Sequence, residues 1–246
     1  MKASPQAQLK LLELAELDTE LSRLDHRRRT LPELEEYQRI EARDTELGDE
    51  LTALEATESD LRRALAKAEG DVDQVRSRVE RDRTRLDAGQ VSSPKELENL
   101  QSEIGSLARR QSDLEEIELD VMERQEVAGR RRDTLTQERA VLARERDEVA
   151  ARRDAALGEI GEQADKAEHL RAGVTAEVPG DLLDLYGKLR AQHGVGAAAL
   201  RGGRCEGCHL SLNTVELADI RAADPDEVLR CEECGRILVR TPESGL

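Results

Sequence analysis

The chain has 246 residues, of which 37% are hydrophobic and another 37% charged, while Phe and Trp are absent. This composition argues against one globular domain with a thick core, because the large side chains that fill such a core are missing. The formal net charge of −16 opposes non-specific attraction to a polyanion, so any contact with nucleic acid must be local. Both a disordered chain and a long paired helix fit this composition, and the periodicity of the apolar residues favours the helix.

The N-terminal part of the chain predicts a helix that ends at a kink. Leucines at helical spacing precede Pro32, whose ring would clash with the carbonyl four residues back if the helix continued. We expect a kink near residues 30–32, with Thr30 and Glu33 as a capping box. We also expect a cytoplasmic protein without a membrane contact, because the chain shows neither a signal peptide nor a stretch long enough to span a bilayer.

Two heptad seams follow the kink. Apolar residues advance in alternating steps of four and three over residues 47–86 and again over residues 97–160, which is the pattern of a coiled coil. Glu58 and Asp82 occupy two positions of the first seam and weaken it locally. Arginine fills every second position of the second seam from residue 132 to residue 153, so we expect this half to pack more loosely.

The segment between the seams predicts a reversal of the chain near residues 88–94. Gly89 permits the turn, and Pro94 at the first helical position needs no hydrogen-bond donor. Ser93 and Glu96 have the spacing of a capping box. The sequence therefore predicts a mainly α protein, with a long antiparallel coiled-coil hairpin over residues 1–178. Apolar residues near the tip are candidates for docking a protein partner: Val91, Pro94, Leu97 and Leu100.

A short bracing helix and linker over residues 179–196 lead into a small β unit, residues 197–246, that carries four cysteines. Cys205 and Cys208 are separated by twenty-two residues, 209–230, from the next cysteine pair, Cys231 and Cys234. Each C-x-x-C pair aims two sulfurs at one point, and two pairs complete a tetrahedron. We predict one structural zinc ion, because four thiolates close the coordination shell. We expect strands at residues 197–200 and 237–240 and a helical insert ending near residue 222.

Other interpretations of the cysteines stay open at this stage. Two disulfides would suit a secreted protein, and a redox C-x-x-C would suit a βαβ context, neither of which the sequence indicates. The spacing alone does not separate zinc from iron. His209 adjoins the first pair and could substitute for a cysteine, although four sulfurs favour its being a neighbour. Without the metal, a unit this small and this poor in aromatic residues should not stay folded.

The β unit also contains arginines that are candidates for contacting nucleic acid. They are Arg201, Arg204, Arg230, Arg236 and Arg240. Residues 201–240 hold six basic and eight acidic side chains, a difference of −2. Because non-specific binding depends on neutralising phosphates, such a domain would bind weakly unless its arginines lie on one face.

Four segments together resemble a known family. They are residues 93–104 at the predicted tip, residues 182–186 of the bracing helix, and the two cysteine segments 205–208 and 231–238. They resemble the bacterial C4-type zinc-ribbon proteins that carry an N-terminal coiled-coil hairpin, over nearly the whole chain. The resemblance implies a non-enzymatic adaptor. Family relatives are associated with motility or secretion systems, with protein partners such as an alternative sigma factor or secretion chaperones, and with RNA or DNA binding through the ribbon.

These observations lead to two hypotheses about function. The first is a zinc-binding adaptor whose ribbon contacts nucleic acid or the transcription machinery while the coiled coil contacts proteins. The alternative is a protein-only scaffold or chaperone of a motility or secretion system, in which zinc is purely structural. We do not expect an enzyme, because no nucleophile–base pair, phosphate-binding loop or open metal site is recognisable. An antiparallel hairpin satisfies its own seam, so we expect a monomer, with a dimer as the alternative.

Overall fold

The computed structural model describes residues 1–246 and consists mainly of helices. Five helices and four short strands follow one another along the chain: α1 (Pro5–Arg29), α2 (Pro32–Asp87), α3 (Pro94–Glu177), α4 (Gly180–His193), β1 (Ala197–Arg201), β2 (Arg204–Cys205), α5 (Thr214–Ala222), β3 (Leu229–Arg230) and β4 (Ile237–Arg240). The predicted fold class, a long helical hairpin followed by a small β unit, is confirmed. No helix combines the length and the apolar character that crossing a membrane requires.

The chain forms two compact units that the sequence did not separate in this way. One, the hairpin unit, comprises Glu36–Val149, and the other, the ribbon unit, comprises Met1–Glu35 and Ala150–Leu246. Each of the long helices α2 and α3 contributes residues to both units. The first helix therefore belongs to the same compact unit as the cysteines, although more than a hundred residues separate them in sequence.

The break between α1 and α2 forms without the predicted capping box. The hydroxyl of Thr30 donates a hydrogen bond to the carbonyl of His26, 2.9 Å away, and so caps the end of α1 instead of the start of α2. Glu33 Oε2 is buried and has no hydrogen-bond partner. The expected pairing of Thr30 with Glu33 is therefore wrong. Pro32 begins α2, where its missing N–H costs nothing.

Within the hairpin unit, α2 and α3 run antiparallel. Near the turn, Arg85 lies 3.8 Å from Glu96, and farther along the pair Arg131 lies 2.7 Å from Glu50. From the first of these pairs to the second, the residue number decreases along α2 and increases along α3, so the two helices run in opposite directions. The buried side chains occupy predicted seam positions: Leu47, Leu61, Ala68, Val72 and Val79 on α2, and Leu100, Leu114, Val121, Ala128, Leu135 and Val149 on α3.

The turn of the hairpin occupies residues 88–93. Gly89 has a positive φ of 65°, which a residue with a side chain rarely adopts. The hydroxyl of Ser93 accepts a hydrogen bond from the N–H of Glu96 at 3.2 Å. The carboxylate of Glu96 accepts from the N–H of Ser92 at 3.0 Å, so it reaches one residue further back than in a standard capping box.

Arginines on the second seam pair with carboxylates of the opposite helix. The Arg139 guanidinium forms a bidentate contact with Asp44, at 2.8 and 2.9 Å, and this hydrogen bonding lowers the pKa of the Asp44 carboxyl. Arg132 lies 3.4 Å from Glu58, which is itself 9% exposed. These charged pairs replace apolar contacts at positions where the heptad pattern alone would place leucine.

Asp82 provides a direct test of how the seam tolerates charge. Its side chain is 9% exposed, and its Oδ2 is buried without a hydrogen-bond partner. We expect Asp82→Leu to stabilise the hairpin unit by about 1–3 kcal/mol, because it removes an unpaired buried carboxylate and adds apolar packing. Hydrogen exchange of the full chain, read over the peptides of residues 72–110, measures the effect.

Glu58→Leu is the matched control, because Glu58 is equally buried but paired with Arg132. This substitution removes the cross-helix partner of Arg132, which keeps only its contact with Asp133 on its own helix, so the gain should be smaller than that of Asp82→Leu. Faster exchange around residue 82 in Asp82→Leu would contradict the prediction.

In the ribbon unit, α1 and α4 pack on one face of a four-stranded sheet. The strand order is β2-β1-β4-β3, with β1 parallel to β4 and the other neighbours antiparallel. The sequence indicated β1 and β4, but β2 and β3 have two residues each, too few to show a periodicity. The core between helices and sheet contains Leu11, Leu14, Leu182, Tyr186, Ala197, Ile237 and Val239.

The N-terminus forms backbone hydrogen bonds with the ribbon, a pairing that local sequence patterns do not reveal. The N–H of Ala3 donates to the carbonyl of Asp226 at 2.7 Å, and the N–H of Val228 donates to the carbonyl of Met1 at 3.1 Å. Lys2 adds an exposed ion pair with Asp224. These contacts extend the sheet region by one short antiparallel bridge.

Candidate metal centre

Two similar turns carry the four cysteines. In the first, the N–H of His209 donates to the carbonyl of Cys205 at 2.8 Å, and in the second the N–H of Gly235 donates to the carbonyl of Cys231 at the same distance. His209 and Gly235 both have a positive φ, 61° and 70°. His209 is thus the counterpart of a turn glycine. It is not part of the group of ligand atoms, which consists of the four cysteines.

The four sulfur atoms converge on one point. All of them lie within 4.8 Å of one another. The Sγ atoms of Cys205 and Cys234 are 3.9 Å apart, and those of Cys208 and Cys231 are also 3.9 Å apart. Tetrahedral zinc with Zn–S bonds of about 2.3 Å requires sulfur–sulfur distances of about 3.8 Å, whereas a disulfide requires about 2.05 Å. The donor set fits one structural zinc ion, and all four thiols are free of disulfides.

Burial and hydrogen bonding shift the pKa values of Cys205, Cys231 and Cys234 in different directions. Burial raises the pKa of Cys205 to about 12 and also raises the pKa of Cys231. Burial alone would raise the pKa of Cys234 too, but hydrogen bonds from the backbone and side chain of Arg236 and from neighbouring thiols lower it to about 7. Because zinc binds thiolates, metal binding must displace protons from the buried pair, and acid therefore favours release of the metal.

The apolar core next to the sulfurs is small. The buried apolar side chains there are Ala198, Leu200, Ile220 and Leu238, packed with the cysteines themselves. α5 is fixed by a capping box in which Asn213 Oδ1 accepts from the N–H groups of Val215 and Glu216 at 2.9 Å. No aromatic ring is present, so the metal supplies cohesion that side-chain packing lacks here.

Two of the five candidate arginines hold the ribbon together. The guanidinium of Arg236 donates to three carbonyl oxygens, those of His193, Val195 and Gly207, at 3.0 to 3.2 Å. Arg240 donates to four carbonyls in the last turn of α5 and the segment that follows it, at 2.5 to 3.4 Å: Ile220, Ala223, Asp224 and Glu227. The two terminal nitrogens of each guanidinium are engaged by the backbone of the same unit.

The remaining three arginines differ in their engagement. Arg230 Nε donates to the carbonyl of Gly235 at 2.8 Å, and Arg204 donates to the carbonyl of His209 at 2.8 Å. Arg201 is exposed at the end of β1, and no hydrogen bond or ion pair ties its side chain to the protein. Of the predicted nucleic-acid contacts, Arg201 alone has all its donors available.

Arg236 should therefore control how firmly the ribbon holds zinc. Arg236→Ala leaves three carbonyls without their side-chain donor and removes one of the hydrogen bonds that lower the pKa of Cys234. We expect the free energy of unfolding to fall by about 1–3 kcal/mol. We also expect zinc release at a higher pH than in the parent, because a thiol with a higher pKa is protonated at a higher pH and then no longer binds the metal.

Zinc transfer to a colorimetric chelator, measured across a pH series, tests this expectation. Arg201→Ala is the matched control, because Arg201 has no partner in the structure, and its release profile should coincide with that of the parent. An unchanged profile for Arg236→Ala would contradict the prediction.

The predicted docking residues at the hairpin tip differ in accessibility. Val91 is half-buried, Pro94 is exposed and Leu97 is 39% exposed, whereas Leu100 is buried in the seam. The structure also shows exposed apolar side chains on α3 that the heptad analysis did not select, because they lie off the seam. They are Ile117, Leu119, Met122, Val127 and Val141.

Comparison with known proteins agrees with this architecture. Residues 14–194 match the family model of the CT398-like coiled coil hairpin domain, and residues 204–238 match that of the C4-type zinc ribbon domain. The chain belongs to the family of proteins built from a CT398-like coiled-coil hairpin and a C4-type zinc ribbon. The resemblance noted in the sequence is thereby confirmed, and the four cysteines are assigned to one structural zinc ion.

Relatives span almost the full length of the chain. It is 40% identical over 240 residues to the uncharacterized protein Rv2229c of Mycobacterium tuberculosis, which covers 98% of both chains. A solved structure from Mycobacterium smegmatis has a TM-score of 0.85 at 37% identity and covers 98% of this chain and 100% of that chain. CT398 from Chlamydia trachomatis has a TM-score of 0.75 at 18% identity, covering 96% and 98%, and shares the fold.

Proposed function

We propose that this protein is a non-enzymatic adaptor that binds protein partners through its helical hairpin, and in which zinc serves only to fold the ribbon. The observation that carries this proposal is the engagement of the ribbon arginines. Four of the five candidates donate to carbonyls of their own unit, which leaves Arg201 as the single one with all its donors available.

The ligand set supports a structural role for the metal. Four sulfurs within 4.8 Å of one another fill a tetrahedral shell, and catalytic zinc needs a position for water or substrate. The families that match the chain are defined by a coiled coil and a zinc ribbon. A coiled coil and a closed zinc site support a binding function without catalysis.

The hairpin unit offers an apolar surface suited to a protein partner. A hollow of about 410 Å³ is lined by Leu47, Val141 and Leu142, and Val141 is 52% exposed. Arg43, Glu138 and Glu145 also line it, so charges of both signs adjoin the apolar residues. An apolar centre with a polar rim is the usual composition of a protein–protein contact. A protein segment with an apolar face and flanking charges fits this surface.

Site-specific photocrosslinking in cells tests the proposal. A crosslinking amino acid at position 141 or 97 should capture a defined protein, and capture should survive nuclease treatment. The same amino acid at Lys67, an exposed position of α2 away from the hollow residues, is the matched control. Val141→Asp should reduce capture through the crosslinker at position 97 or in pull-downs, because it places a charge in the apolar centre.

Two outcomes would overturn the proposal. One is the absence of any protein captured above the Lys67 control. The other is capture that nuclease abolishes, together with binding of single- or double-stranded probes that Arg201→Gln removes at low salt. That second result would support the other hypothesis, in which the ribbon contacts nucleic acid or the transcription machinery.

A further inference from the structure

A cavity in the ribbon unit combines two arginines with a buried hydroxyl. It has a volume of about 490 Å³ and lies between the end of α3, α4 and α1. Its lining includes Arg171 and Thr175 from α3, Arg190 from α4 and Ser22 from α1. None of these residues belongs to the zinc site, and none is among the residues predicted to contact a partner.

The charges around this cavity do not cancel. Asp18 is 0% exposed and accepts hydrogen bonds from Arg171 Nε at 2.7 Å and from the Tyr186 hydroxyl at 2.6 Å. Arg190 Nε lies 3.0 Å from the same carboxylate. Among Asp18 and the side chains that line this cavity, two guanidinium groups thus share one carboxylate, which leaves one positive charge in excess.

The hydrogen-bonding capacity that points away from Asp18 is unused. Arg171 and Arg190 approach the carboxylate through Nε, and their terminal nitrogens have no hydrogen-bond partner in the protein. Thr175 Oγ1 is buried and also has no partner. Because an unsatisfied buried hydroxyl is costly, an acceptor that binds in the cavity would relieve it. The side chains of Arg171 and Arg190 are 27% and 39% exposed, so an anion from solvent can reach them.

We propose that this cavity binds a phosphate group, with Arg171, Arg190 and Thr175 as its donors. A phosphate accepts several hydrogen bonds at once and pairs well with guanidinium, so it suits a site with two arginines and a hydroxyl. The excess positive charge favours an anion over a neutral ligand. The protein thus carries a small-ligand site in addition to its zinc site and its hairpin.

A neighbouring cavity has room for the organic part of a phosphate ester. Ser22 and Arg190 also line a second hollow of about 520 Å³, whose wall includes the apolar Leu157 and Ile160 together with the charged Asp25, Arg28 and Glu168. The two cavities therefore adjoin at these shared residues. An ester with a compact apolar group can place its phosphate at Arg171 and Arg190 and its apolar part against Leu157 and Ile160.

Isothermal titration calorimetry of the zinc-loaded full chain at constant ionic strength tests the site. The probes are inorganic phosphate, phenyl phosphate and benzoate. We expect saturable binding of both phosphates, tighter for phenyl phosphate because its ring fills the second hollow. Benzoate should bind more weakly, since its planar carboxylate meets fewer of the donors. Tighter binding of benzoate than of phenyl phosphate would contradict the assignment of phosphate.

Variants separate ligand binding from folding. Thr175→Val removes the hydroxyl that has no partner in the protein, so it should leave thermal stability unchanged or higher and weaken phosphate binding about fivefold. Arg190→Gln should weaken it about tenfold or more, through the loss of a charge-assisted contact. Arg27→Gln, an exposed position of α1, removes the same charge and should bind like the parent. Absence of saturable binding by the parent, or equal affinities in all variants, would overturn the proposal.

Discussion

Cys231→Ser should release the zinc ion and unfold the two cysteine turns. Structural zinc binds with an apparent free energy of about 10–16 kcal/mol coupled to folding, which rivals the whole stability of a small domain. Only a small apolar core surrounds the sulfurs, so little remains to hold the turns once one ligand is lost. We expect zinc content near zero and loss of hydrogen-exchange protection over residues 204–212 and 229–236.

The two central strands should respond differently from the turns. β1 and β4 also contribute Ala197, Ile237 and Val239 to the core shared with α1 and α4. Protection of their amides should therefore fall less than that of the turns. Equal and complete loss across the sheet would show that the metal also holds this second core.

A histidine variant provides the control for metal binding. His209 adjoins Cys208 but lies outside the group of ligand atoms, so His209→Asn should keep a full complement of zinc. Asparagine also tolerates the positive φ of this position better than most residues. Stoichiometric zinc in Cys231→Ser together with protected turns would contradict the four-sulfur site.

Local patterns in the sequence were sufficient for the hairpin and the metal ligands. The heptad seams identify side chains such as Leu61 and Val121 as buried, because a coiled coil repeats its geometry every seven residues. The C-x-x-C pairs likewise encode the sulfur positions within a few residues, because each turn is local. Both features need no knowledge of distant parts of the chain.

Features that depend on distant contacts could not be predicted in this way. Asp18 is one of several acidic residues in α1, and nothing in the neighbouring sequence marks it as buried. Its partners Arg171 and Tyr186 lie more than 150 residues away in the chain. The arginines of the ribbon looked available for a ligand, but four of the five candidates donate at least one hydrogen bond to a carbonyl of their own unit. Charge composition counts such side chains without showing what they contact.

The Asp18 cluster, which consists of Asp18, Arg171, Tyr186 and Arg190, should be the largest contributor to the stability of the ribbon unit outside the zinc site. Asp18→Ala leaves two guanidinium groups close together without their counterion and the buried Tyr186 hydroxyl without its acceptor. Removing one member of a buried charged cluster costs about 3–5 kcal/mol. Hydrogen exchange of α1 and α4 measures the loss, and the peptides of residues 50–80 in the hairpin unit serve as an internal control in the same sample.

Two further variants assign the effect to the charge. Tyr186→Phe removes one hydrogen bond to the carboxylate and should cost about 1.5–3 kcal/mol, less than Asp18→Ala. Asp18→Asn keeps the shape of the side chain but removes the negative charge that both arginines share, so the net charge around the phosphate site becomes more positive. Phosphate should therefore restore more exchange protection to Asp18→Asn than to the parent. If Asp18→Ala matched the parent in exchange, the buried carboxylate would not be the group that joins α1 to α3 and α4.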